Sequence, residues 1–171
     1  METLLHTKNA MTTWSFEPQS SIVCVVIEDV VMRTIDRWRQ RELYKQSEAC
    51  GILLGERRGV RGEYLRVTHI TEPCGTDQRQ PTYYRRNTHG HQEVVNLLHR
   101  QSHGEIQYLG EWHTHPENKS SPSSVDYQEW ARTTQLNRFK NSPLIFFIAG
   151  IEADWLGVID HQILSVGVGL H

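Results

Sequence analysis

The apolar run Ile22–Ile27 (IVCVVI) has no polar break and is almost wholly β-branched. That predicts a buried strand. Beyond it, Val31, Ile35 and Trp38 recur at i, i+4 and i+7. This is the stripe of an amphipathic helix, capped by Asp29 and running to about Leu43. Cys50–Leu54 (CGILL) reads as a second buried strand ended by Gly55, and Glu56–Gly62 as a charged turn. Tyr64–Thr71 alternates and predicts a strand paired with the previous one. Glu72–Asn87 is polar with Pro73, Gly75 and Pro81, so it reads as a loop with a short strand at Tyr83-Tyr84. A helix follows over His91–His103, with Val94, Val95, Leu97 and Leu98 inward. Ile106–His113 is a strand, and Ser123 to about Phe139 a helix with Val125 and Trp130 toward the core. Leu144–Gly150 (LIFFIAG) predicts a central strand, and Trp155–Ile159 and Ile163–Val168 finish the sheet. Strands and helices mix without strict alternation. The expected class is α/β, one domain with a mixed central sheet flanked by helices.

Length fits that picture, since 171 residues suit one domain with a proper core. Residues 1–20 are polar and read as a disordered or extended segment, so the domain is expected over 21–171. The net charge of -2 makes no electrostatic case for nucleic acid. No apolar run approaches a membrane span, and the N-terminus lacks a signal-peptide core. Cys24, Cys50 and Cys74 are odd in number and fit no pairing motif, which suggests a reducing cytoplasm. Cys24 and Cys50 read as small core residues.

The chemistry concentrates at Glu111-Trp112-His113-Thr114-His115-Pro116, followed by Ser123 and Asp126. Histidines two apart on a strand project to one face. Pro116 stops pairing, Glu117–Pro122 reads as a loop, and Ser123 is a good N-cap. Asp126 then sits in the first helical turn, where its carboxylate can turn back toward the histidines. Two imidazoles and one carboxylate are the usual ligand count of a catalytic zinc with an open fourth position. His89-Gly90-His91 has the same spacing but lacks a downstream Ser-x-x-Asp, and reads as an ordinary surface pair. His99 and His103 lie four apart on a helix and read as an exposed face.

Zinc lowers the pKa of a bound water to roughly 7, but a hydrolase still needs a group to move the proton. Glu111, Glu117 and Glu129 are near in sequence. Glu48 is distant and precedes the buried strand CGILL, where a carboxylate is costly, yet from local sequence alone it reads as an ordinary charged residue at a strand entrance.

Glu48-Ala49-Cys50-Gly51-Ile52-Leu53-Leu54-Gly55, followed by His113-x-His115-Pro116-x6-Ser123-x-x-Asp126, resembles the JAMM (MPN+, Mov34-type) metalloproteases. The likeness runs from about Ile22 to the end of the chain. It implies a cytidine-deaminase-like JAMM domain that cleaves isopeptide or peptide bonds after the last glycine of ubiquitin-like proteins. It further implies that Glu48 is the general acid/base, that His113, His115 and Asp126 hold one Zn2+, and that Ser123 stabilises the oxyanion. The short phrase GEWHTHPE and the single-domain size resemble the small standalone JAMM proteins of CBASS antiphage operons. In such operons a fused ubiquitin-activating and conjugating-like enzyme attaches the C-terminus of a cGAS-like nucleotidyltransferase (CD-NTase) to targets, and the JAMM protein removes it. In this family the modifier tail adds as a strand beside the site. Loop 72–91 is the candidate for shaping that groove, with Tyr83 and Tyr84 against the tail and Arg85 or Arg86 toward acidic partners. Three other readings stand beside this one: a JAMM peptidase acting on a sulfur carrier or another ubiquitin-like protein, a zinc deaminase, and a silent scaffold. The deaminase lacks its His-x-Glu and Pro-Cys-x-x-Cys elements, and the intact Glu48 and metal triad argue against the scaffold.

Overall fold

The computed structural model describes residues 11–42, 44–136 and 142–170. In chain order the elements are β1 (Thr12–Ser15), β2 (Cys24–Ile27), α1 (Asp29–Trp38), β3 (Cys50–Arg58), β4 (Tyr64–Ile70), β5 (Gln78–Gln80), β6 (Tyr83–Arg85), α2 (Thr88–Gln101), β7 (Gln107–Thr114), α3 (Ser124–Leu136), β8 (Leu144–Ala149), β9 (Trp155–Asp160), β10 (Ile163–Val166) and β11 (Val168–Leu170). Nine strands form one sheet in the order β10-β9-β8-β7-β3-β4-β2-β1-β11. Among the described strands, only β2 with β4 and β7 with β8 run parallel, so the sheet is mixed. The two edge strands, β10 and β11, are separated only by Gly167. One short segment therefore reaches both edges, and the sheet curls back on itself like a barrel.

The core divides by sheet face. Ile145 and Phe147 of β8 join Val25, Ile27, Leu53, Val67 and α1 on one side. Leu144, Phe146 and Ile148 join Trp130 of α3 on the other. Val95 and Leu98 of α2 cover Ile52 and Leu54 on that second side. All six residues of β8 are buried, as expected of a central strand covered on both faces.

A bulge decides where the histidines point. The β3–β7 register shifts between Leu53 and Leu54, which pair with Gly110 and Tyr108 and leave Leu109 as the extra residue. Leu109 and Trp112 consequently share one core cluster, although they are three apart. Without the bulge His113 would follow Leu109 into that core. With it, His113 lies opposite Cys50 and Ile148 on the other face. Bulges re-aim side chains in this way. Gly110 is required here because a Cβ would meet the Ile145 carbonyl oxygen at 1.7 Å.

Several expectations change. Thr12–Ser15 is a strand and Trp14 is buried, ahead of the boundary expected at 21, while 1–10 lie outside the described residues. Helix α1 stops at Trp38 rather than near Leu43. Arg39 leaves the helix and pairs with Asp154, both side chains nearly buried. Strand β3 runs through Gly55 to Arg58. The loop at 72–87 contains a hairpin, β5–β6, rather than one short strand. Val94 and Leu97 are exposed, because a helix resting one face on the sheet cannot turn positions 94, 95, 97 and 98 all inward. Val125 is also exposed, whereas Trp130 is buried. The expected end of the last helix, near Phe139, falls outside the described residues.

Candidate active site

Helix α3 is seated by Trp130. Its indole stacks on Phe146 at 4.7 Å and on Trp155 at 5.4 Å between ring centroids. Asp126 lies one turn earlier on the same face, so the stack aims that carboxylate at β7. Ser123 and Asp126 cap the helix reciprocally. The Ser123 N–H and hydroxyl donate to Asp126 Oδ2, both at 2.7 Å, and the Asp126 N–H donates to Ser123 Oγ at 3.2 Å.

The structure brings His113, His115 and Asp126 together, all buried. The two Nε2 atoms lie 3.0 Å apart. His113 Nε2 is 3.2 Å from Asp126 Oδ1, and His115 Nε2 is 3.4 Å from Oδ2. One shared N–H can join the two rings at that distance, but both ring nitrogens also face the two oxygens of one carboxylate, the arrangement that three ligands of a single ion take. Two imidazoles and a carboxylate suit a borderline divalent cation such as zinc. Burial holds His113 below its ordinary pKa, which keeps it neutral as a ligand must be. Burial opposes ionisation of Asp126, but its bonds to His113, His115 and Ser123 outweigh burial and hold it far below the carboxylate range. For His115, burial favours the neutral ring, yet the Asp126 carboxylate prevails and raises the pKa. A proton therefore competes for this site as pH falls. His115 Nδ1 is buried and has no hydrogen-bond partner among the described residues.

Glu48 shares the His113 face, because Cys50, two residues on, is the cross-strand partner of His113. It is only 6 % exposed and lines one groove with His115, Ser123 and Asp126. Burial, helped by nearby Asp126 and Glu117 and opposed by His115, pushes its carboxyl up to about 7. A group there takes and returns a proton near neutrality. The three nearer glutamates are placed otherwise. Glu111 is paired with Arg86 and receives the Tyr108 hydroxyl. Glu117 is half exposed, 3.9 Å from His115 Nδ1. Glu129 pairs with Arg132 at the groove rim.

A hydrogen-bond chain that sequence reasoning missed holds these parts in register. Thr114 lies between the histidines on the opposite face. Its Oγ1 accepts from the Ala49 N–H and donates to Gln40 Oε1, each at 2.9 Å. The Gln40 amide then donates to the carbonyls of Pro81 and Gln46. The Glu48 N–H donates to the Gln80 carbonyl at 2.9 Å, and Arg79 reaches the Glu48 carbonyl at 3.3 Å. Hairpin β5–β6 therefore grips the backbone of Glu48. Nothing in the sequence flagged Gln40, a polar residue just past a helix. The glycine inside a strand pattern at Gly110 was a readable signal of the bulge.

Hairpin and helix α3 form the walls of the groove, whose volume is about 620 Å³. Tyr83 and Arg85 are exposed along it. Tyr84 and Arg86 also line the groove, each with a partner of its own. Tyr84 packs its ring on His113 at 5.1 Å, and Arg86 is committed to Glu111. His89 and His91 part company: His89 is exposed beside Glu93, and His91 is buried against Asp77. His99 bonds the Ile106 carbonyl. Cys50 is buried, and burial raises its thiol to about 12. Cys24 is only half-buried. Among the described residues, no helix is long and apolar enough to cross a membrane.

Residues 30–157 match the family described as prokaryotic homologs of the JAB domain. A relative from Escherichia coli (strain TW11681), named CD-NTase/cGAS isopeptidase, is 41% identical over 78% of this chain and 80% of its own length. A second of the same name, from Vibrio cholerae, is 35% identical over 88% of this chain and 91% of its own. A solution structure of a protein from Desulfitobacterium hafniense aligns with TM-score 0.54 and 19% identity, covering 82% of this chain and 87% of that one, a likeness of fold. With two curated relatives above a third identity and a family match across the buried trio and Glu48, the chain belongs to the prokaryotic JAB-domain family.

Proposed function

We propose that this protein is a zinc-dependent isopeptidase that releases a protein joined through its C-terminal tail to a target amine. The observation that carries the reading is a buried Glu48, raised to about 7, lining one groove with His115 and Asp126, the two ligand-type residues that converge on His113. The relatives' shared name, CD-NTase/cGAS isopeptidase, supports a cGAS-like nucleotidyltransferase as the conjugated protein. On the resemblance to the CBASS JAMM proteins rather than on that name, the bond would be made by a ubiquitin-activating and conjugating-like enzyme, in the cytoplasm of a cell under phage attack.

His113, His115 and Asp126 would hold the ion. Zinc in such a three-ligand site would lower the pKa of a bound water to roughly 7 and polarise a carbonyl. Glu48 takes the proton of the attacking water and hands it to the departing amine as the C–N bond breaks. Its burial keeps the proton available at neutral pH, and the hairpin fixes its backbone. Ser123 is exposed at the groove, with its hydroxyl turned to Asp126. Rotation toward the substrate would let that hydroxyl donate to the developing oxyanion. The tail lies between hairpin β5–β6 and α3, where Tyr83 and Val125 offer apolar contacts.

The test is cleavage of a reporter joined through a lysine to the last residue of a cGAS-like nucleotidyltransferase tail. Mass spectrometry of the products should show a cut directly after that residue. Cleavage elsewhere, or none with zinc present, contradicts the reading.

A further inference from the structure

A second group of ligand-type side chains lies outside this site. Cys74, Asp77 and His91 place their ligand atoms within 4.8 Å of one another. His91 Nε2 stands 3.1 Å from Asp77 Oδ2, 3.3 Å from Oδ1 and 3.8 Å from Cys74 Sγ. Ligands of one tetrahedral zinc are separated by about 3.4 Å for nitrogen and oxygen and about 3.6 Å for nitrogen and sulfur, from the usual bond lengths. The spacing is also that of the His113, His115 and Asp126 trio, at 3.0 to 3.4 Å.

The surroundings orient all three ligands. The Asp77 and His91 side chains are 0% and 1% exposed. Asp77 accepts from the backbone N–H of Cys74 at 2.8 Å and of Asn87 at 2.7 Å. This fixes the carboxylate and leaves its free lone pairs toward the imidazole. His91 Nδ1 lies 2.6 Å from Thr71 Oγ1, the outer partner that a metal-bound histidine normally has. Cys74 is half-buried, so the cluster opens to solvent on the thiol side.

A hydrogen-bond reading accounts for part of this. An Nε2–H donates to Asp77 and the Thr71 hydroxyl donates to Nδ1. One N–H must then be shared between both carboxylate oxygens, while Cys74 Sγ, which meets Thr76 Oγ1 at 3.1 Å, also stands 3.8 Å from a ring nitrogen whose N–H is already given to Asp77.

We infer that Cys74, Asp77 and His91 bind a second zinc-class ion, which clamps the two ends of hairpin β5–β6. Binding releases the Cys74 thiol proton to solvent, because the thiolate is the ligand. Thiolate, imidazole and carboxylate together favour zinc over magnesium or calcium. Asp77 and Asn87 are the residues that bracket the hairpin segment, and the ion would fix both to α2 through His91. This site does not depend on the isopeptidase reading.

Cobalt loading of the metal-free full chain tests the inference. The trio at His113 contains no sulfur, so a thiolate-to-cobalt charge-transfer band reports the second site alone. We expect the band in the unaltered protein and in Asp126→Asn, and its loss in Cys74→Ser. Elemental analysis after zinc loading should give two ions per chain, falling to one in Cys74→Ser and to one in Asp126→Asn. No thiolate band in the unaltered protein overturns the inference, and that measurement needs no variant to fold. Unchanged zinc content in Cys74→Ser also overturns it. Retention of both ions in Asp126→Asn would instead overturn the catalytic site alone.

Discussion

Burial of Glu48 pushes its carboxyl to about 7 against an ordinary 4.5, so the group proposed for proton transfer also strains the fold. The folded state binds more protons than the unfolded state between those two values, so this residue's contribution makes stability fall as pH rises. The loss is complete above about pH 7 and absent below about pH 4. Glu48→Gln should therefore match the parent near pH 4 and exceed it above pH 7, by roughly 3 kcal/mol at most. Thermal melts of the metal-free proteins across pH read this directly, and a gap that fails to widen with pH contradicts the burial argument. Ser123 has two tasks, a helix cap seen in the structure and an oxyanion donor proposed for it. Ser123→Ala should cost about 1 kcal/mol as a lost cap. It should also lower kcat roughly 100-fold as a lost donor. A stability loss with kcat unchanged would leave only the cap. The residue types and spacing of His113, His115, Ser123 and Asp126 were legible in the sequence because strand and helix periods dictate which positions share a face. Glu48 looked ordinary locally, and only the resemblance and then the fold brought it to the groove.

Strand β7 works because its bulge separates the core-facing Leu109 and Trp112 from the groove-facing histidines. Gly110→Ala should cost more than about 3 kcal/mol, since the new methyl would lie inside the Ile145 carbonyl. Chemical denaturation measures it, and a cost below about 1 kcal/mol would mean that the strands part easily here. Thr114 joins β7 to the Glu48 segment and, through Gln40, to hairpin β5–β6. Thr114→Val keeps the shape but leaves the Ala49 N–H and Gln40 Oε1 without their partner, a loss of about 1–3 kcal/mol. Denaturant titration should show it, and neutrality would mean that the chain bears no load. The apolar runs announced β3 and β8 in the sequence because a doubly covered strand can tolerate little else; the run that announced β2 is fully buried only at alternate positions, Val25 and Ile27. The hairpin was half hidden: Gln78–Gln80 is polar, and its pairing with Tyr83–Arg85 is set by tertiary contact rather than by propensity.

At the level of the molecule, the sheet closes through one segment, 163–170, that supplies strands to both of its edges. No periodicity in the sequence distinguishes that double use from a single terminal strand. Likewise, a four-residue strand at Thr12–Ser15 is too short and too polar to stand out. Truncation after Gln162 should expose β9 and β1 together and abolish cooperative unfolding, monitored by circular dichroism. A cooperative transition in the shortened chain would show that closure is dispensable. The same closed sheet presents β3 and β7 side by side, and this adjacency sets Glu48 over the buried trio across a long sequence gap. The most direct test of the whole account is the single-turnover cleavage rate of the tail conjugate by zinc-loaded Glu48→Gln. The expected result is a fall of about 100- to 10,000-fold with zinc content unchanged. Cleavage at the parent rate would contradict the account.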